Sequence, residues 1–306
     1  MTAEHQPGKI ISVFLLIAAF AVVSLACSCS QNLRPTYRYG LNDTVPEGSG
    51  QTVKVVILSG QSNAVGSSLN YYLQSEPDYA HLAAGFPDVL MNFYDAASER
   101  KTDGFVPVED HYGWTDAYFG PELGMADALS AAYPGEKIFI LKFTYSGAGL
   151  DAEMGPMKGR FYTHMIGFIN RSLDYLRSKN YNPELVGFCW MQGETDAMIA
   201  PNSYEANMEI LVKALRLNLD PDLRIFDAAI ADNPVFWVHP DVVNQAKQNL
   251  ADRLPDYYLF DTNAAGFSTD NEPAGNPDRA HYDAHWELVL GRCFGNAIAD
   301  AIADAL

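Results

Sequence analysis

The sequence has few cysteines and few basic residues, and each shortage argues against a class of protein. The 306 residues include 4 cysteines, whose spacing matches neither a disulfide framework nor a metal site. Only 20 Lys and Arg residues stand against 38 Asp and Glu residues, so the net charge is -18. This charge opposes binding to a nucleic-acid backbone or an anionic membrane surface. We therefore expect a neutral or weakly charged substrate and no nucleic-acid partner.

Long apolar runs are also scarce, and the one that stands out lies at the N-terminus. Residues 10–26, IISVFLLIAAFAVVSLA, follow Lys9 and fall short of the ~20 residues that a membrane-spanning helix needs. The run ends at Ala26 and Cys27, an arrangement that resembles the lipid-attachment site of exported bacterial lipoproteins. We predict a signal peptide at 1–26, lipidation of Cys27, a tether at 27–50 and a folded domain at 51–306. The protein would then be a periplasmic or cell-surface lipoprotein, attached to a membrane only through this anchor; an uncleaved signal anchor and plain secretion are the alternatives.

Short apolar runs alternate with segments of helical periodicity from residue 53 onward. The runs are nearly continuous in apolar character, as buried parallel strands are, and they cover 53–59, 137–145, 185–191, 223–231 and 257–261. The predicted helices are 121–133, 161–179, 203–219, 239–254 and 283–306. This alternation predicts an α/β fold, a three-layer α/β/α sandwich with a central parallel five-stranded sheet. Residues 64–120 are less regular and rich in aromatic side chains, and they are either an insertion above the sheet or an ordinary long connection.

Three polar stretches lie where a strand ends or a helix begins: SGQSNA (59–64), WMQGETDA (190–197) and PDRAHYDAH (277–285). The carboxyl ends of parallel strands share one rim, which brings the first two stretches together. A serine such as Ser62 becomes a nucleophile only with a base and a group that orients the base, and Asp278 and His281 supply both. Taken singly, each of these residues also fits an ordinary role as a helix cap, a turn residue or a surface histidine.

Acyl transfer also requires hydrogen-bond donors for the developing oxyanion. The candidates are the backbone N–H of Ser62, the backbone N–H of Gly147 and the side-chain amide of Gln192. An amide suits this role because it donates without adding charge. Each candidate also fits a plain structural role when it is considered alone.

The combination of these stretches resembles a known group of enzymes. GQSN at 60–63, the pattern WxQGExD over 190–196 and DxxH over 278–281 resemble the SGNH hydrolase superfamily. Within it they most resemble the acetylesterases of carbohydrate esterase family 6 and the sialate O-acetylesterase-like domain. FGPELGMADAL at 119–129 is similar to a further segment of that group, and the resemblance covers about 52–303.

The resemblance implies a serine esterase that removes O-acetyl groups from carbohydrate through an acetyl-enzyme intermediate, without a metal or organic cofactor. Ser62 would be the nucleophile, His281 the general base and acid, and Asp278 the residue that orients His281. The oxyanion would be held by Ser62, Gly147 and Gln192. Support for the surrounding loops is expected from Asn63, Glu194 and Asp196.

Two positions depart from the pattern of the resembled group. Met191 stands where many of its members have histidine, and Ala64 stands where many have methionine. Both departures predict a pocket of altered polarity and size beside the nucleophile, and therefore concern the substrate more than the reaction.

The same residues allow other interpretations. A lipid-tethered carbohydrate-binding protein without turnover would use the aromatic region 64–120 equally well, but has no physical need for the whole set of Ser62, Asp278 and His281. Gly147 and Gly149 belong to a partial dinucleotide-binding fingerprint, which Gly155 and Pro156 interrupt. His281 and His285 have the spacing of a metal pair, but no third ligand follows at a fixed spacing.

Overall fold

Strand β1, Thr52–Gly60, lies in the middle of the fold. The computed structural model describes residues 41–42 and 44–305. Within them the strands are β1 (Thr52–Gly60), β2 (Ser68–Leu69), β3 (Phe86–Asp95), β4 (Val106–Val108), β5 (Tyr118–Phe119), β6 (Ile138–Thr144), β7 (Asn182–Met191), β8 (Ile225–Ala228) and β9 (Tyr257–Phe260).

The helices of the same residues are α1 (Ser62–Val65), α2 (Tyr79–Ala83), α3 (Pro121–Ala132), α4 (Arg160–Ser178), α5 (Glu194–Ile199), α6 (Tyr204–Asn218), α7 (Pro234–Trp237), α8 (Pro240–Arg253) and α9 (Ala284–Ala303). Two 3₁₀ segments, Asn70–Ser75 and Pro201–Ser203, and one π turn, Leu150–Met154, complete the regular structure. The five helices predicted from periodicity are confirmed as α3, α4, α6, α8 and α9, with boundaries that differ by at most a few residues.

The main sheet has seven strands in the order β4-β3-β6-β1-β7-β8-β9, counted over residues 41–42 and 44–305. All neighbouring pairs are parallel except β3 and β4, which are antiparallel. A second sheet of two short strands joins β2 to β5. Helices flank the main sheet, and α3 packs along α9. The predicted fold class is thus confirmed.

The predicted number of strands is too small, because β3 and β4 lie inside the irregular region 64–120. Strand β3 pairs with β6 over seven residues of register, from Val89 to Asp95, and therefore belongs to the core of the sheet. Its apolar run is interrupted by Asn92 and Asp95, two polar residues that are nevertheless buried. Asn92 is accommodated by a hydrogen bond of 3.0 Å from its Nδ2 to Ser172 Oγ. A buried polar residue with a partner breaks the apolar pattern without breaking the strand.

The predicted signal peptide 1–26, Cys27 and most of the predicted tether 27–50 lie outside the described residues. Within the described part of the chain, no helix combines the length and apolar character that crossing a membrane requires.

Candidate active site

Ser62 lies at the carboxyl end of β1, at the rim that all the parallel strands share. Strand β1 ends at Gly60, the N–H of Gln61 donates to Met191 O (3.0 Å), and Ser62 begins the short helix α1. Gly60 has a φ of 144°, and a Cβ atom at this position would lie 1.9 Å from Met191 O. Only glycine fits so close to the neighbouring strand. This explains why a buried strand runs into the sequence Gly-Gln-Ser-Asn.

Asp278 and His281 form a hydrogen-bonded pair. His281 Nδ1 lies 2.7 Å from Asp278 Oδ2, and the His281 side chain is only 9% exposed. Asp278 Oδ1 accepts from the N–H groups of Ala280 (2.8 Å) and His281 (3.0 Å). Burial raises the pKa of Asp278, but the hydrogen bonds and charge of His281 and the two N–H groups outweigh it and leave the pKa below its usual value. The carboxylate is thus held in its ionised form, the form that accepts an N–H of the imidazole.

Asn63 joins the serine turn to the loop that carries His281. Asn63 Oδ1 accepts from the N–H of Tyr282 (3.2 Å), and Asn63 Nδ2 lies 3.3 Å from Ala280 O. Because Asn63 follows Ser62 and the two loop residues flank His281, these bonds bring the predicted nucleophile and the predicted base to one place. Among the described residues, no hydrogen bond joins Ser62 Oγ to the imidazole. Such bonds commonly form only when substrate is bound.

The predicted oxyanion donors include the backbone N–H groups of Ser62 and Gly147. Neither N–H group has a hydrogen-bond acceptor among the described residues. Ser62 is the first residue of α1, where the N–H has no partner within the helix. Gly147 follows β6 in a loop tied to the end of β1 by a hydrogen bond from Tyr145 N to Gly60 O (2.9 Å). Gly147 has a φ of +71° and faces open space. Both N–H groups are therefore available to a ligand.

Gln192 differs from the prediction. Its side chain is fully buried, and its Nε2 lies 2.6 Å from Asp196 Oδ2 and 3.3 Å from both Ala148 O and Gln61 Oε1. An amide nitrogen carries two hydrogens, which these acceptors use. In this structure the Gln192 amide therefore does not offer a free hydrogen to an oxyanion, and it connects loops of the rim instead.

Glu194 and Asp196, the predicted supporting residues, hydrogen-bond to different loops of the rim. Glu194 Oε1 accepts from Asn63 Nδ2 at 2.8 Å. Asp196 accepts from the N–H groups of Leu150 (2.8 Å) and Asp151 (3.1 Å), which follow the Gly147 loop. Burial raises the pKa of both Glu194 and Asp196, although these hydrogen bonds oppose the shift. The two carboxyl groups thus link the loops after β1, β6 and β7.

The structure places one further residue, Trp114, beside the predicted catalytic residues, and the sequence did not indicate it. The Trp114 ring lies 5.8 Å from the His281 ring between centroids, at an angle of 58°. Trp114 belongs to the aromatic region 64–120. Its backbone N–H donates to Gly66 O (2.9 Å), just beyond α1. The aromatic content of this region was visible in the sequence, but nothing in it marked this tryptophan among the other rings.

The side chains of Ala64 and Met191 are both fully buried. Neither exposes surface to the site, and the expectation that these two positions alter the polarity and size of the substrate pocket stays a prediction.

The described residues contain no group of three or more His, Cys, Asp or Glu side chains placed to hold a metal ion. His285 Nδ1 lies 2.9 Å from Glu76 Oε1, so this histidine is engaged with a carboxylate on the segment between β2 and β3.

Solved structures share this fold. A protein from Arabidopsis thaliana superposes with a TM-score of 0.60 at 21% identity, over 81% of this chain and 98% of its own. NanS superposes with a TM-score of 0.61 at 16% identity, over 84% of this chain and 99% of its own. A carbohydrate acetylesterase from Xanthomonas citri gives 0.50 at 17% identity, over 80% of this chain and 54% of its own. At these identities the likeness concerns the fold.

Residues 52–300 match the family model described as carbohydrate esterase, sialic acid-specific acetylesterase. The protein is thus a carboxylic ester hydrolase. It belongs to this carbohydrate esterase family, and the resemblance to the sialate O-acetylesterase-like SGNH hydrolases is confirmed. Its reaction is the removal of O-acetyl groups from carbohydrate. This favours an enzyme over the alternative of a carbohydrate-binding protein without turnover. Among curated proteins, the comparison found no match.

Proposed function

We propose that the protein removes acetyl groups from carbohydrate hydroxyls by a two-step serine mechanism with an acetyl-enzyme intermediate. The observation that carries this proposal is the Asn63 bridge, which holds the turn of Ser62 against the loop of His281. A base oriented by a carboxylate, beside a serine at a strand end, is the arrangement that activates a hydroxyl.

In the first step, His281 Nε2 accepts the proton of Ser62 Oγ as the oxygen attacks the acetyl carbonyl carbon. Asp278 accepts the Nδ1 hydrogen of the imidazole and stabilises the imidazolium that forms. The oxyanion is held by the N–H groups of Ser62 and Gly147; such donors typically contribute about 3 kcal/mol each to transition-state stabilisation. When the tetrahedral intermediate collapses, the sugar oxygen leaves with the proton from His281.

In the second step, water repeats the sequence on the acetyl group bound to Ser62. His281 takes a proton from the water, whose oxygen forms the new bond to the carbonyl carbon. The Ser62 oxygen then leaves with that proton, and acetate is released. Atoms and charges balance with water as the only co-reactant. Trp114, beside His281, offers a partly exposed ring for the sugar of the substrate.

The experiment is acetate release by wild type and Ser62→Ala from a generic aryl acetate, with circular dichroism as the control for folding. We expect the variant to fold and lose hydrolysis by a factor of about 10³ or more. A folded variant that retains the wild-type rate would exclude Ser62 as nucleophile. Acetate release from acetylated xylan, pectin, mannan and sialoglycan then identifies the carbohydrate, which we propose to be either of the acetylxylan or of the sialate type.

We also propose that the protein is exported and held to a membrane only through lipid on Cys27, in the periplasm or at the surface of a bacterial cell, with no nucleic-acid partner. The support is the apolar run 10–26, the small residue Ala26 before Cys27, and the net charge of -18. Metabolic labelling with a fatty acid in the natural host tests the anchor. Wild type should incorporate the label and Cys27→Ser should not; equal labelling of both would contradict lipidation at Cys27.

A further inference from the structure

Lys142 is a buried cation in the middle of the sheet. It lies on β6 between the apolar residues of that strand, and its side chain is fully buried. A buried ammonium is costly unless every hydrogen finds an acceptor. The acceptors around Lys142 therefore indicate its role in the structure.

The Lys142 Nζ atom has three oxygen neighbours. It donates to Glu122 Oε2 (2.6 Å), Val65 O (2.6 Å) and Tyr112 O (3.0 Å). An ammonium group has three hydrogens and a neutral amine has two, so three acceptors match the charged form. Burial lowers the pKa of Lys142, and the contact with Glu122 opposes that shift. The Phe93 ring, with its centroid 4.6 Å from Nζ, covers another side of the cation.

Each of these acceptors belongs to a different segment of the rim. Val65 ends α1, the turn that Ser62 begins. Tyr112 belongs to the loop that carries Trp114, and Glu122 lies in the first turn of α3, where its Oε1 accepts from Gly120 N (3.1 Å). A single cation thus joins the serine turn to the loop whose tryptophan lies beside His281.

The backbone next to Val65 is tightly packed. Gly66 has a φ of +99°, and a Cβ atom there would lie 2.3 Å from Phe119 O. Its carbonyl accepts from the N–H of Trp114 (2.9 Å). The serine turn is therefore fixed to the Trp114 loop at two adjacent residues, through Lys142 at Val65 and through the backbone at Gly66.

We propose that Lys142, charged and paired with Glu122, is a positioning residue that sets where Ser62 stands relative to Trp114 and His281. This inference rests on the serine mechanism proposed above. Lys142 touches no reacting atom. Its effect on the reaction is to keep the α1 turn in place, and a displacement of about 1 Å at a nucleophile can cost about 100-fold in rate.

The fold contains a matched pair that tests this role. Lys247 on α8 is also fully buried, and it donates to Asp227 Oδ1 (2.6 Å) and Ala228 O (2.8 Å) on β8. The Lys247–Asp227 pair is thus an ion pair between a lysine and a carboxylate, as fully buried as the Lys142–Glu122 pair. None of the hydrogen bonds of Lys247 reaches the serine turn or the Trp114 loop, and only its charge acts on the site, at Glu194. The comparison therefore isolates the hydrogen bonds that Lys142 donates to Val65 and Tyr112.

The test compares two double variants, Lys142→Met with Glu122→Gln, and Lys247→Met with Asp227→Asn. Each removes both members of a buried ion pair, so neither member is left as an unpaired charge. Melting temperature, kcat and KM for an aryl acetate, and the rate at which a fluorophosphonate modifies Ser62 are measured for both. We expect both to be less stable, but only the Lys142 variant to lose about 30- to 100-fold in kcat and in labelling rate, with KM within about threefold of wild type.

Wild-type kcat and labelling rate in a folded Lys142 variant would overturn the proposal, and so would equal losses in both double variants. If the double variant at Lys142 does not fold, Glu122→Gln alone is measured; it leaves the lysine in place but removes its anionic partner, and a fall of about fivefold in kcat is expected. An unchanged kcat there also overturns the proposal. Failure of the serine mechanism itself is read separately, from Ser62→Ala retaining the wild-type rate.

Discussion

Asp278 Oδ2 lies 2.7 Å from His281 Nδ1, in a loop that Asn63 fastens next to Ser62. In the proposed mechanism, the carboxylate keeps the imidazole hydrogen on Nδ1, and Nε2 accepts the serine proton. Much of the activity should depend on this pair.

Replacing Asp278 by Asn should lower kcat by about 10²- to 10⁴-fold, because an amide in place of the carboxylate no longer holds the required tautomer. The pKa of Asp278 lies below its usual value. Its stabilising contact with His281 is therefore fully present above the ordinary carboxyl pKa and is lost only as the pH falls through the depressed one. Asp278 therefore stays ionised between about pH 6 and 9, and its own titration adds no pH dependence to the deficit of the variant in that range. Steady-state kinetics across that range measure it, and a variant with wild-type kcat would show that the pair does not serve the reaction.

Asn63→Ala should affect both stability and rate. It leaves Glu194 buried without its donor, which we expect to lower the free energy of unfolding by about 1–3 kcal/mol. It also releases the loop 280–282, so kcat should fall by about 10- to 100-fold. Urea unfolding and aryl acetate hydrolysis measure the two effects. Asn92→Ala removes a buried asparagine that bonds Ser172, and should lower stability without the loss of kcat; equal kcat losses in both variants would argue against a specific role for Asn63.

Glu194→Gln should change how stability depends on pH. Burial raises the pKa of Glu194, and the hydrogen bond from Asn63 and the charges of Lys247 and His281 oppose this only in part. Between the ordinary pKa and the raised one, the folded state holds a proton that the unfolded chain has lost. This group therefore lowers stability as the pH rises through that window, by at most about 1.4 kcal/mol per pH unit.

Glutamine resembles the protonated acid and carries no such slope. The free energy of unfolding of Glu194→Gln should therefore gain on that of wild type as the pH rises. Denaturant unfolding at a series of pH values measures the difference, and two parallel curves would contradict a raised pKa of Glu194.

Trp114→Ala should impair carbohydrate substrates more than small ones. Loss of a ring contact with a sugar, worth about 1 kcal/mol, predicts a rise of about fivefold in KM for an acetylated oligosaccharide. An aryl acetate, which has no sugar, should show a smaller change. Trp114→Phe retains a ring and serves as the control, with a KM expected between the two. A KM for the oligosaccharide that stays at the wild-type value in Trp114→Ala would remove this residue from substrate binding.

The sequence predicted best where a local pattern and a chemical requirement coincide. The apolar run of β1 and the polar stretch after it located Ser62, and the spacing of Asp278 and His281 predicted the hydrogen bond that the structure has. Strand β3 was missed because buried Asn92 interrupts its apolar pattern and Asp95 ends it, and their partners Ser172 and Thr144 are 80 and 49 residues away in the chain. Which acceptors surround a side chain is decided by tertiary packing, and this is why the engagement of Gln192 could not be foreseen.

The surroundings of Trp114 and Lys142 could not be predicted from the sequence either. A tryptophan in an irregular segment carries no periodicity, so its position beside His281 depends on how the loop folds over α1. Lys142 did leave a signal, since a lone lysine within an apolar run must find acceptors or stay out of the core. The signal indicates a buried cation, but it does not say which oxygens surround it.

In the proposed mechanism, Ser62 carries the acetyl group during turnover. Rapid acid quenching of the enzyme with excess aryl acetate, followed by peptide mass spectrometry, tests it directly. We expect an added acetyl group on the peptide that contains Ser62, present in the wild type and absent in Ser62→Ala. An acetyl group found on the peptide of a different residue, with Ser62 unmodified, would contradict it.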